Sequence, residues 1–61
     1  MDPTANLREQ LEIARAILDL EREPIEAERL RIAADRLAEL VEALNGWLSR
    51  GGFLPVQWRA K

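Results

Sequence analysis

The chain has no cysteine, no histidine and no tyrosine, and its single lysine is Lys61 at the C-terminus. Without cysteine there is no disulfide to staple a small fold. Without histidine or cysteine the common zinc and haem ligand sets are missing. Nucleophilic catalysis needs an activated side chain beside a base, and the only hydroxyls, on Thr4 and Ser49, have no imidazole to activate them. No run approaches about 18 consecutive apolar residues, so no segment is expected to cross a membrane. The opening MDPTANLREQ starts with an acid and contains no apolar run, so no signal peptide is expected. The glycine pair Gly51 and Gly52 follows a helical stretch instead of opening one, which is the wrong order for a phosphate loop. These absences predict a protein that is not an enzyme, holds no metal or cofactor, and works in a reducing, cytoplasmic interior.

Aromatic residues are scarce and unevenly placed. Trp47, Phe53 and Trp58 are the whole set, all within NGWLSRGGFLPVQW. Charge divides at the same point. Residues 1–44 carry all 11 acids against six arginines, a net of −5, whereas residues 45–61 carry Arg50, Arg59 and Lys61 and no acid. An acidic body repels a phosphate backbone, and the polar face of the second helical stretch mixes Glu28, Arg31, Asp35, Glu39 and Glu42. Nucleic acid is therefore not an expected partner, and DNA-associated regulation stays a distant alternative. A membrane surface is not expected either, because the polar faces are not rich in lysine or arginine.

What is present is helical periodicity. Asp2 as N-cap and Pro3 at the first helical position make a start signal, since the carboxylate accepts an orphan N–H and proline has none to waste. Leu7, Leu11, Ala14 and Leu18 follow at 4, 3, 4 spacing, with Ile13, Ile17 and Leu20 in a second row. At 100° per residue this stripe covers roughly half the helix circumference, more than one neighbouring helix can bury. The carboxylates interleave with arginines at i,i+4, as in Arg8 with Glu12, Arg15 with Asp19 and Arg31 with Asp35, which is ordinary surface pairing.

The segment DLEREPIEAER is polar nearly all round and has Pro24 in its middle. Proline inside a helix costs about 3 kcal/mol but little at a first turn. The apolar register also shifts by five residues between Leu11 and Leu18 on one side and Leu30, Leu37 and Leu44 on the other. Two helices, at about residues 3–22 and 24–50 and joined near residues 21–23, account for both features. Arg8, Arg15, Arg22, Arg29 and Arg36 recur every seven residues straight through Pro24, a pattern that one long kinked helix would also produce. On the hairpin reading they are solvated faces of two helices. The second helix has the core face Leu30, Ala33, Ala34, Leu37, Leu40, Val41, Leu44, Trp47 and Leu48 and outlasts the first.

Residues 51–61 form the remaining unit, a glycine stop and an extended aromatic tail. With Gly52 in the left-handed position after the helix, Phe53 and Leu48 are the two residues a Schellman cap brings together. The residue before Pro55 avoids the helical region, so Leu54, Pro55, Val56 and Trp58 are expected to be extended. Two uses of Trp47, Leu48, Phe53, Leu54, Pro55 and Trp58 stay open. They form a lid over the end of the hairpin, or a docking segment rich in the residue types enriched at binding hot spots.

DPTANLREQLEIARAILD at the start and AELVEALNGWLSRGGFLPVQW near the end resemble a group of very short proteins encoded by actinobacterial phages and their hosts. The resemblance covers both ends of the chain. It implies a phage or prophage source and action inside the host cell, and it transfers no catalytic or binding residues.

At 61 residues a chain buries only about 60% of the surface it exposes when unfolded. Two helices cannot enclose a core. The predicted architecture is therefore an all-α antiparallel hairpin with an extended C-terminal tail, completed as a homodimeric four-helix bundle. Its core would be Leu7, Leu11, Leu18, Leu30, Leu37, Leu40 and Leu44. The predicted role is a small protein–protein interaction module, a phage accessory protein that acts on a host protein through the aromatic region. The alternative is a purely structural self-assembling bundle whose tail lids its own core.

Overall fold

Asp2 starts the first helix, α1 (Pro3–Leu20). Its carboxylate accepts the Ala5 N–H at 3.0 Å and its carbonyl accepts the Asn6 N–H at 3.0 Å. Pro3 fills the first helical position, where a missing N–H is harmless, and its ring is fully buried. The computed structural model describes residues 1–20 and 26–59. The expected joint at residues 21–23 and the expected helix start at Pro24 or Ile25 lie outside these described residues.

The second helix, α2 (Ala27–Ser49), follows Glu26, which is extended at φ −69 and ψ 125. The Glu26 carbonyl takes the first bonds, from Arg29 N–H at 3.0 Å and Leu30 N–H at 3.3 Å. Glu28 lies in the first turn, where the helix dipole favours a negative charge. The helix runs on through Gly46.

The end of α2 corrects the expected cap by one residue. Gly51, not Gly52, takes the left-handed conformation, at φ 84. Gly51 N–H bonds to the Leu48 carbonyl at 3.1 Å and Gly52 N–H to the Trp47 carbonyl at 2.9 Å, the paired bonds of a Schellman motif with Arg50 as C-cap. The facing positions are thus Trp47 and Gly52 in place of Leu48 and Phe53. The physical reason is the indole: a Cβ on Gly52 would fall inside the Trp47 ring, so the residue against that ring must be the one without a side chain.

The tail is also not extended throughout. Pro55 adopts φ −55 and ψ 147, and the chain then closes a single 3-10 turn at Val56–Trp58. This turn bonds Trp58 N–H to the Pro55 carbonyl at 3.0 Å. An extended course would have carried the chain away from α1. Instead the Thr4 hydroxyl accepts the Val56 N–H at 3.0 Å, and Gln57 donates through Nε2 to the Thr4 carbonyl at 3.1 Å.

The two helices pack antiparallel. Asn6 reaches Leu40 and Glu9 reaches Arg36, so partners on α2 fall in number as those on α1 rise. The described residues form only helices and their connections, an all-α hairpin with a folded-back tail. Its dimensions are 41 × 24 × 13 Å. Two helices side by side make the hairpin a single helical layer. Stable domains stack two layers around a core. Among the described residues the buried apolar ones are Leu7, Leu40 and Leu44, with Pro3 and Pro55, all towards the open end where the tail returns.

Candidate interaction face

Helical geometry gives the layer two unlike faces. Glu9 lies on the opposite side of α1 from Leu11 and Leu18. It pairs with Arg36 of α2 through two bonds, from Nε at 2.6 Å and from Nη2 at 3.0 Å. This bidentate pair marks the polar face of the hairpin. Glu39 extends it, 3.5 Å from Arg36 Nη1. The hydrogen bonds from Arg36 hold the Glu9 carboxyl below the usual carboxylate range, and Glu9 in turn raises Arg36. Both side chains remain about half exposed, so the pair fixes register more than it adds stability.

The other face is apolar and carries a heptad-like stripe on each helix. On α1 it is Leu7, Leu11, Ala14 and Leu18. On α2 it is Leu30, Ala34, Leu37, Val41, Leu44 and Leu48, at 4, 3, 4, 3, 4 spacing. Burial is concentrated at Leu7 and Leu44 near the open end, and the rest of each stripe is unevenly covered, with Val41 46% exposed. Leu7 is 5% exposed, Leu11 41% and Leu18 63%; Leu44 is 4% exposed and Leu30 39%. Leu37 is half-buried. Of the seven leucines expected to form a self-association core, Leu7, Leu40 and Leu44 are therefore covered within one chain, and Leu11, Leu18 and Leu30 are open.

At the open end this face holds a cleft of about 180 Å³, lined by Gln10, Val41, Leu44, Asn45, Leu48 and Trp58. The folded-back tail supplies its outer wall, since Trp58 is the only lining residue beyond α2. Trp58 is still 50% exposed.

The remaining aromatic residues lie elsewhere. Trp47 projects about 100° round α2 from Leu48. Its ring meets Phe53 edge to face at 5.3 Å and 89°, and its Nε1–H donates to the Phe53 carbonyl at 2.9 Å. The Arg59 guanidinium lies 5.8 Å from the Phe53 ring centroid, in cation–π range. Among the six candidate lid or docking residues, the structure thus brings Trp47 to Phe53 and Leu48 to Trp58. It buries Pro55 completely and leaves Leu54 and Phe53 exposed.

Several residues that position these features have no prominent sequence signal. Asn6, buried at 9% exposure, donates through Nδ2 to the Leu40 carbonyl at 3.1 Å and accepts from Gln10 Nε2 at 2.6 Å. Asn6 and Gln10 do continue the row of Ile13 and Ile17 at 4, 3, 4 spacing, so a polar pair extending an apolar row was the available clue. Arg36 is concealed within the seven-residue arginine repeat and is not simply solvated. Among the surface pairs expected at i,i+4 spacing, Arg31 and Asp35 approach to 3.9 Å with both side chains exposed.

These groups offer shape, apolar surface and aromatic rings rather than reactive chemistry. No helix among the described residues is long and apolar enough to cross a membrane. Among the described residues no three acidic side chains converge on a point where they could hold a metal ion. The chain matches no protein-family model, and no curated protein or solved structure matches it.

Proposed function

We propose that this protein is a non-enzymatic interaction module. Its hairpin pairs with a second copy across the apolar face to form a four-helix bundle, and its aromatic C-terminal region offers a further contact for a host protein. The observation that carries this reading is the single layer. A hairpin of one helical layer leaves Leu11, Leu18, Leu30 and Val41 between 39% and 63% exposed on one side. Contiguous apolar area of this kind is characteristic of interaction surfaces, and burying it at about 25 cal/mol per Å² drives association. The resemblance to phage-encoded proteins supports an activity inside a host cell, with Phe53, Leu54 and Arg59 as the surface offered to a protein partner.

The second reading, a purely structural bundle whose tail completes its own core, is favoured by a specific observation. Pro55 is fully buried, and Thr4 holds both Val56 and Gln57. On that reading the tail has no outside partner.

Light scattering on purified protein at micromolar concentration tests the first part. The expected mass is that of two 7.0 kDa chains, and Leu30→Glu, at a position exposed in the hairpin, converts it to one without loss of helicity. A folded wild-type monomer overturns the self-association. A chain ending at Gly52, compared with the whole chain for capture of a specific host protein, separates the two roles of the tail.

A further inference from the structure

Resting on the homodimer proposed above, we propose that the two copies stack about a two-fold axis that crosses the helices at right angles near Leu37. The turn end of each copy then lies over the open end of the other. In this arrangement Leu30 of one copy enters the cleft beside Trp58 of the other.

The cleft itself states what it takes. Its α2 lining is Val41, Leu44, Asn45 and Leu48, the positions i, i+3, i+4 and i+7. Four residues at that spacing form the hole that receives one knob from a facing helix. The volume of about 180 Å³ and the apolar walls suit one branched aliphatic side chain. In its own chain, Leu30 lies at the far end of the same α2 stripe, 39% exposed. It cannot reach the hole, because the 14 residues from Leu30 to Leu44 span roughly 21 Å of helix. A second α2, antiparallel to the first and centred near Leu37, brings it there. Leu30 then faces Leu44 and Asn45, Ala34 faces Val41, and Leu37 faces its own symmetry mate. The small residue meets the branched one, so the stripe is complementary to itself, as a two-fold interface requires.

Charge selects the same arrangement. Among the described residues, Asp19, Glu26 and Glu28 stand against Arg29 near the turn end, while Arg50 and Arg59 lie at the open end, where Asp2 is offset by the N-terminal amine. Crossing the axis at right angles sets each cationic end over the acidic end of the other copy. A two-fold axis parallel to the helices would set like ends together, which costs free energy and slows encounter.

The absence of native cysteine makes the test direct. Single-cysteine chains are mixed in pairs and oxidised, with light scattering on each reduced mixture. Leu30→Cys with Asn45→Cys is expected to give a heterodisulfide, and so is Ala34→Cys with Val41→Cys, which guards against one substitution disturbing the fold. Leu30→Cys with Leu18→Cys is expected to give none. If the mixtures are dimeric but link Leu30→Cys to Leu18→Cys, turn end to turn end, this orientation is overturned and the homodimer stands. If the reduced chains are folded monomers, the homodimer and the orientation fall together.

Discussion

Trp47 donates its indole N–H to the Phe53 carbonyl while its ring fills the space that a Cβ on Gly52 would occupy. One side chain thereby ties the last turn of α2 to the start of the tail, and it does so across two glycines that behave differently. Gly51 supplies the left-handed φ of 84, and Gly52 supplies the absent Cβ.

The three glycines are therefore expected to respond in three ways to alanine. Gly52→Ala must push the Trp47 ring aside and should cost about 1–3 kcal/mol, as overpacking does. Gly51→Ala meets no atom within 4 Å, but its φ of 84 imposes a backbone penalty. That penalty is about 1–2 kcal/mol. Gly46→Ala lies in the helix with only Arg50 Nη1 near, at 3.4 Å. It should stabilise by about 1 kcal/mol. Urea unfolding of the three variants checks the order, and equal effects would refute the assignment of roles.

Asn6 is the one buried polar side chain between the helices among the described residues. Asn6→Ala removes its bonds to Leu40 and Gln10 and should cost about 1–3 kcal/mol. Asn6→Asp keeps the shape but, when ionised, cannot donate to the Leu40 carbonyl. The folded state then favours the protonated acid, so the deficit of this variant relative to wild type should shrink as pH falls. Thermal midpoints of both chains measured from pH 7 downward decide it, and a deficit independent of pH would refute the donor assignment.

Glu9 should behave with the opposite sign. Arg36 lowers its pKa from the ordinary 4.5, so the carboxylate's contribution is fully present above that value and is lost as pH falls through the lowered one. Glu9→Gln lacks that contribution throughout. The difference in thermal midpoint between wild type and Glu9→Gln should therefore be present at pH 7 and close at acid pH below 4.5. It should also narrow at 1 M salt, where screening acts over about 3 Å. A difference that survives full acidification would show that the charge is not its source.

Thr4 holds the returning tail through its hydroxyl and its carbonyl. Thr4→Val removes only the hydroxyl and should cost about 0.5–1.5 kcal/mol. The informative readout is hydrogen exchange at Val56, whose amide is expected to be protected in wild type and in Thr4→Ser but fast in Thr4→Val. Equal exchange in all three chains would mean that the tail is held by something else.

The parts readable from the sequence were those governed by contacts a few residues apart. The Asp2 cap, the α1 stripe and the glycine stop each depend on i to i+3 or i+4 geometry. The one-residue slip at the glycines shows the limit of that reading, because either glycine satisfies the local cap rule and only the bulk of Trp47 selects between them. Asn6, Thr4 and Arg36 were harder to read because their partners lie 34, 52 and 27 residues away. No periodicity relates such positions. The sequence by itself determined the helical class, the chemistry that is missing, and an apolar stripe too wide for one neighbour, since composition and the 3.6-residue repeat are properties of the chain alone. Only the tertiary structure decided how the stripe is shared. The antiparallel register set by Glu9 and Arg36 turns one face polar, and the tail latched at Thr4 carries Trp58 onto the other. Trp47 and Phe53 stay together at the cap, so Trp58 stands on a different face from the other two rings.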